Sequence, residues 1–395
     1  MMNFKSIYVA ATISLLATAQ QVAALEVDRE VLPRTTLGGR VIATVDAVDL
    51  DSEPTKENEI NLDDSSVLMR FDKRMYENGV AGAVVGFRDV EDSLRFHQLF
   101  AFYWNQDFNA ELGMTKLRNS IVEFPIIRDE DLLSYTHVGN ASSNEEFDQL
   151  YGKQLAFDWF IDKKIQKIGV WTGTLGNGET PPSDAPDGFD YYGAGYIYEQ
   201  PEDLRYVKWI RHAGLIYNSQ KVRVGGSDEW MGAWIAGIEL NLNMNPVNNW
   251  SLGLQAISNE GAGPITAADI NYTNPDPIIA NQARAKYNSL VVDFRYTGRP
   301  MLLTRWQAAV TAAYKDYSDV NDAKQWSIVP NVVYKLGQGV DLLAQYKYTD
   351  YGNGLGGGSD NTFQVGVSFS LEAMYNDNIG ERDSIINLEH GYIKK

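Results

Sequence analysis

Hydrophobic and polar positions alternate along most of this chain with a period of two. The clearest stretch sets Trp306, Ala308, Val310, Ala312 and Tyr314 between Arg305, Gln307, Ala309, Thr311, Ala313 and Lys315. One row is apolar with an aromatic near each end; the other is small, polar or basic. Successive side chains of a β-strand point to opposite faces, so this pattern predicts a strand with one apolar face. Trp326, Ile328, Val332 and Tyr334 repeat it against Gln325, Ser327, Asn331 and Lys335. Pro330 falls on the apolar row and predicts a bulge or local break, since proline cannot donate to a ladder. Further rows are Val340 to Tyr348, Phe363 to Leu371, Leu290 to Tyr296, Leu155 to Ile161 and Trp230 to Leu242. Leu94, Phe96, Phe100, Phe102 and Trp104 also read as one apolar face.

About sixteen such segments are bounded by turn residues: 38–50, 64–76, 79–88, 94–105, 108–119, 150–162, 164–175, 189–200, 204–218, 229–244, 249–259, 285–298, 302–317, 324–336, 339–351 and 361–374. A tilted strand crosses a bilayer in about 9–11 residues, and nearly all are long enough. Their connections alternate in length. Glu77 to Gly79, Asn105 to Asp107, Lys163, Gln200 to Asp203, Pro246 to Asn248, Gly298 to Pro300 and Gly337 to Gln338 form a short set. Asp51 to Asp63, Ser120 to Gln149, Gly176 to Gly188, Glu260 to Arg284 and Gly352 to Asp360 form a long one. Short turns on one side and long loops on the other, with aromatics at both strand ends, predict an all-β antiparallel transmembrane β-barrel with periplasmic turns and extracellular loops. A soluble sandwich would alternate too, without that asymmetry.

Composition agrees. The first 24 residues have a basic start at Lys5, an apolar run from Ile7 to Ala17 and small-residue sites at Ala17 to Ala19 and Val22 to Ala24. They read as a secretory signal peptide. That leaves a barrel over 25–375 and a polar tail over 376–395, within which Ile385 to Ile393 is an alternative closing strand. Mean hydropathy is −0.30, a value compatible with a barrel because only alternate residues meet lipid. The chain has no cysteine and a net charge of −18. The first excludes disulfides and thiolate metal sites; the second disfavours nucleic acid. The 22 tyrosines and 9 tryptophans suit the two membrane interfaces.

With its signal peptide, sixteen alternating strands and unequal connections, the chain resembles the Gram-negative porin family. The resemblance is architectural and covers roughly residues 38 to 375. It implies an outer-membrane channel for passive diffusion of ions and small polar solutes, a homotrimer, and lipid and lipopolysaccharide as neighbours. It also implies that the third external loop, here Ser120 to Gln149, folds into the pore. The acids of that loop are Glu123, Asp129, Glu130, Asp131, Glu145, Glu146 and Asp148. By alternation, the facing basic wall draws on Arg40, Arg70, Arg74, Arg95, Arg305, Lys315, Lys335 and Lys347. Acids facing bases would set a transverse field across the constriction, as in general porins. One departure is the tail, because many porins end at an aromatic residue completing the last strand.

Other chemistry is thinly represented. His97, His137, His212 and His390 are the only histidines, and none has HExxH spacing. No GxSxG elbow occurs. Gly354 to Gly358 has no following Lys-Ser/Thr and reads as an external loop, not a phosphate cradle. Asp49, Asp51, Glu53, Glu57, Glu59, Asp63 and Asp64 make the first external loop acidic, a solvated face in the plainest reading. The expectation is a channel that is not an enzyme and has no cofactor or metal. A substrate-specific channel is the alternative, and an outer-membrane barrel enzyme a more distant one.

Overall fold

The alternating rows close into a cylinder in the computed structural model of the chain. It describes residues 33–50, 56–62, 65–75, 79–90, 93–127, 130–137, 151–162, 165–174, 189–200, 207–224, 227–245, 247–260, 286–298, 305–318, 321–337 and 339–375. The first strands are β1 (Arg34–Leu50), β2 (Lys56–Asn61), β3 (Ser66–Arg74), β4 (Val80–Val90), β5 (Ser93–Trp104) and β6 (Phe108–Lys116). A short helix, α1 (Glu130–Thr136), precedes β7 (Tyr151–Asp162), β8 (Gln166–Thr174), β9 (Tyr191–Glu199), β10 (Ile210–Val224), β11 (Ser227–Asn241) and β12 (Asn248–Asn259). The last are β13 (Tyr287–Gly298), β14 (Trp306–Tyr317), β15 (Lys324–Gly337), β16 (Val340–Tyr351) and β17 (Ser359–Tyr375).

Neighbours pair antiparallel all the way round, and β17 returns to β1 with Thr35 opposite Tyr375 and Leu50 opposite Asp360. Closure removes every free strand edge, which a bilayer demands. β2 and β3 lie end to end along β1, opposing Thr44–Asp49 and Arg34–Arg40 respectively. At their junction the Ser65 hydroxyl replaces the missing ladder: it accepts from Ile42 N at 3.0 Å and donates to Ile42 O at 3.2 Å. Together they make one stave, and the barrel has sixteen.

The two side-chain rows separate by burial. On β14 Trp306, Val310 and Tyr314 are exposed, while Ala309, Thr311, Ala313, Lys315 and Tyr317 are buried. On β7 Leu155, Trp159 and Ile161 face out and Gln154, Ala156 and Asp158 face in. Aromatic rings pair across neighbouring strands of the outer surface, as in Trp306–Tyr334 and Trp326–Tyr348 at 4.5 and 5.1 Å between centroids, and Tyr192 of β9 reaches Trp230 of β11 across β10 at 4.9 Å. A continuous apolar outer belt of this extent suits hydrocarbon, not water.

Several elements differ from the sequence expectation. The span 51–63 is not wholly a loop, because β2 occupies part of it and takes Glu57 and Glu59 into a strand. Its residues are too polar to show an apolar row, and Ile60 is 77% exposed. β10 covers 210–224, not 204–218, so Lys208 lies exposed before it, and Arg211 is buried at its irregular start. Arg205 lies outside the described residues. Only Gly225 and Gly226 separate β10 from β11, and only Glu91 and Asp92 separate β4 from β5. External connections are therefore not uniformly long; a Gly-Gly pair is itself a tight-hairpin signal.

The face assigned to β5 is corrected. Phe96 is 52% exposed, but Phe100, Phe102 and Trp104 are buried on the inner side, where they cluster with Leu68, Val80 and Val84. The register shifts at His97, where Gly86 pairs with Gln98 and Phe87 with Phe96. One extra residue there exchanges the faces of the strand. Pro330 leaves a smaller mark: pairing of β15 with β16 stops at Ile328–Tyr348 and resumes in the same register at Asn331–Gln345. Because β17 closes the barrel, Ile385 to Ile393 is not needed for closure. Residues 1–24 and 376–395 lie outside those described.

Candidate functional site

The chain leaves the wall after Lys116 and runs across the lumen before α1. This path is pinned to the far wall by side chains from strands remote in sequence. Gln255, on the inner row of β12, accepts from Ile121 N and Val122 N at 2.7 and 2.9 Å, and its amide donates to Thr136 O at 2.6 Å. Ile127 N donates to the Gln345 side chain at 2.9 Å, and the Asn331 amide donates to Pro125 O. Ser289 donates to Tyr135 O at 2.6 Å, and the Asn218 amide to Arg118 O at 2.9 Å. Backbone that leaves a sheet must find other partners; here the opposite wall supplies them.

Inward glycines shape the seat. A methyl group built on Gly237 would meet Ile121 and Val122 at 2.9–3.0 Å, and one on Gly214 would meet Ile121 at 3.2 Å. Ile121 and Val122 are buried in this hollow and join an apolar cluster with Trp171, Tyr191, Ile216 and Ile235. Helix α1 packs Leu132 and Tyr135 against Val291, Ala313 and Val329.

Charged groups on the inner wall pair with one another. Arg211 and Arg295 both reach Glu239 Oε1, at 2.8 and 3.1 Å, and Arg295 also contacts Asp293 at 2.7 Å. Arg295 Nη2 donates to Glu123 O at 2.7 Å, so this quartet holds the infolded loop directly. A second group joins Arg118 bidentately to Asp158, with Glu111 at 3.6 Å and the guanidinium over the Trp171 ring. A third joins Asp72 to Arg34 at 2.6 Å and to Arg70 at 2.8 Å. Buried charges need such partners, and removing one leaves the others exposed to a large desolvation cost.

Beneath the loop lies a cavity of about 380 Å³. One side is formed by Glu123 to Ile127, and the other by inner-row residues of β13 to β16 and β1, including Arg295, Gln307, Val333, Asp341, Leu343 and Arg40. Arg40 and Asp341 are two strands apart, opposite Ser370 and Ser368 of β17, and Asp341 stands opposite Lys335 of β15.

The residues singled out from sequence distribute as follows. Arg40 lines the cavity, and Lys335 and Lys347 lie half-buried on the inner rows of β15 and β16. Arg95 is half-buried on the inner row of β5 beyond the bulge. Arg70 is buried against Asp72 with its guanidinium 4.9 Å from the Phe102 ring. Lys315 is buried between the rings of Tyr287 and Tyr317, at 4.3 and 4.7 Å. Arg74 is exposed at the end of β3, and Arg305 is exposed before β14 begins, so both lie at the same rim of the barrel. Among the acids, Glu123 lines the cavity and Glu130 and Asp131 open α1. Asp129, Glu145, Glu146 and Asp148 lie outside the described residues. The list drawn from sequence lacked Arg118, Arg211 and Arg295 and all their acidic partners. The Asp293-x-Arg295 spacing was the available signal, since i and i+2 share a face.

No family model matches the chain, and no curated protein matches it in sequence. Solved structures match its fold. The anion-selective porin from Comamonas acidovorans is similar with a TM-score of 0.60 at 15% identity, covering 85% of this chain and 99% of that one. The outer-membrane channel DcaP of Acinetobacter baumannii gives 0.57 at 12%, covering 85% and 97%. Salmonella typhi OmpF in complex with daunomycin gives 0.57 at 12%, covering 88% and 100%. The trimer form of Vibrio cholerae OmpT gives 0.55 at 12%, covering 86% and 99%. The chain therefore has the sixteen-stranded fold of outer-membrane porins.

Proposed function

We propose that this chain is an outer-membrane porin, a passive channel for ions and small polar solutes. One observation carries the reading: a closed barrel with an apolar outer belt holds a loop across its lumen, and that loop borders a charged cavity. A barrel of this strand number encloses more space than its own side chains fill, and charges at the narrowest point select among solutes. The fold shared with outer-membrane porins and channels supports the same reading. The test is conductance of the purified protein in planar bilayers. Steady ohmic steps are expected; a protein that inserts and carries no current would overturn the proposal. Neutralising Lys335 or Lys347 should move the reversal potential toward cations, whereas Arg305→Gln, at the rim, should move it less.

The outer surface supports assembly with further copies, and a homotrimer fits the trimer form of one similar structure. Every stave from β9 to β16 presents Trp or Tyr outward, for instance Tyr192, Tyr217, Trp234, Trp250, Tyr296, Trp306, Trp326 and Tyr346. The sector formed by β1, β3 and β4 presents Val41, Ala43, Val45, Val67, Met69, Ala83 and Val85, with no Trp or Tyr among its described residues. Interface-seeking aromatics are expected where strands meet lipid head groups, and small smooth residues where another protein covers them. Native mass spectrometry in detergent should give three copies; a monomer would refute this.

A further inference from the structure

We infer that the cavity beneath the infolded loop is a binding site for small organic anions, specifically monocarboxylates with an apolar body, anchored by Arg40. This deepens the channel reading above and rests on it for the route by which a ligand arrives. Three observations carry the inference.

The first is charge. The quartet of Arg211, Glu239, Arg295 and Asp293 is internally balanced. Asp341 lies under the influence of both Lys335 and Arg40, one acid between two bases. Arg40 forms no ion pair within 4 Å among the described residues, so this part of the wall carries one positive charge in excess. A guanidinium offers paired donors that match a carboxylate.

The second is the floor. Phe124, Pro125, Ile126 and Ile127 of the loop and Val333 and Leu343 of the wall line the same cavity. A water-filled passage for inorganic ions has no use for six apolar groups beside a cation. An anion carrying several methylene groups or a ring would bury them there and gain from their removal from water. The third is size. About 380 Å³ falls within the range of small-molecule sites, roughly 300–1,000 Å³.

The experiment uses the full-length protein in planar bilayers in KCl, with hexanoate added from the periplasmic side. Acetate, hexanol and hexylammonium are the comparison solutes. Hexanoate should interrupt the current in a saturable, concentration-dependent way, and the other three should do so at least tenfold more weakly. Arg40→Gln should raise the half-blocking hexanoate concentration about tenfold, and Arg40→Lys, which keeps charge but loses the fork, less. Equal block by hexanol, equal block by acetate, or an unaltered half-blocking concentration in Arg40→Gln would each overturn the site. Heat-modified gel mobility confirms that each variant is a folded barrel. Calorimetric titration of hexanoate into the detergent-solubilised protein separates the two readings. Absence of current with binding intact defeats the channel alone, and current without binding defeats the site alone.

Discussion

The seat of the infolded loop makes a sharp prediction at Gly237. Adding one methyl there places carbon 2.9 Å from Ile121 Cβ and Cγ2 and 3.0 Å from Val122 Cγ2. Carbon contacts are comfortable at about 3.5–4.0 Å, so the loop must retreat by roughly 0.5–1 Å. The wall cannot give way, because β11 is held by full ladders on both sides. Retreat stretches the bonds from Ile121 N and Val122 N to Gln255, now 2.7 and 2.9 Å. Overpacking costs about 1–3 kcal/mol, and each weakened hydrogen bond about 0.5–1.5 kcal/mol. Docking of the loop should lose on the order of 2–6 kcal/mol, with the loop displaced toward the lumen centre. Single-channel recording of Gly237→Ala should show lower conductance with added flicker. Adding Ile121→Ala should restore part of it, because Cγ2 goes while Cβ stays. Unchanged conductance and gating in Gly237→Ala would refute the loop placement, as would strict additivity in the double variant, since residues in contact must couple.

Three further outcomes follow from the same lumen. Arg295→Gln leaves Asp293 buried without its main partner and removes the donor to Glu123 O; the barrel should lose about 3–5 kcal/mol, read as a lower melting midpoint with noisier open-channel current. Gln255→Leu strands the Ile121 and Val122 amides and Thr136 O in a buried setting, at about 1–3 kcal/mol for each group, and protease access to the loop in the intact barrel should rise. At the rim between β14 and β15 Asp322, in a left-handed turn with φ 58°, contacts Lys324 at 3.0 Å and accepts from Asn353 at 2.9 Å. The hydrogen bond from Lys324 and then that from Asn353 hold its carboxyl below the usual carboxylate range. A depressed carboxylate contributes fully above its unfolded pKa of about 3.9 and loses that contribution as pH falls through its folded value. Pepsin cleavage around Gly352 to Gly358 should therefore increase as pH drops below about 4, and Asp322→Asn should abolish that pH dependence; an identical profile in the variant would reject the link.

How much of this was legible in the sequence differs by element. On β14, β15 and β16 the alternating rows gave the strands, their faces and nearly their bounds, because each residue there meets either lipid or lumen. On β5 the same rule failed beyond His97, since a bulge changes the face without changing the composition. On β2 it was silent, because five of its six residues are polar or charged and leave no apolar row to read. Among site residues, Arg40 and Lys335 were identified as inward by parity alone. Arg70 and Lys315 were also placed inward, but parity could not show that one is paired with Asp72 and the other enclosed between Tyr287 and Tyr317.

By itself, the order of residues determined a membrane barrel of about sixteen staves, because period-two patterning and turn chemistry are local properties that each segment carries alone. Only the tertiary structure decided what the lumen does. Gln255, Arg295, Asn331 and Gln345 seat the loop from positions more than a hundred residues away in the chain, and the glycines of β10 and β11 matter only because Ile121 and Val122 lie against them. Contacts across a closed barrel depend on strand register and closure around the whole ring, and no local window of sequence contains that information.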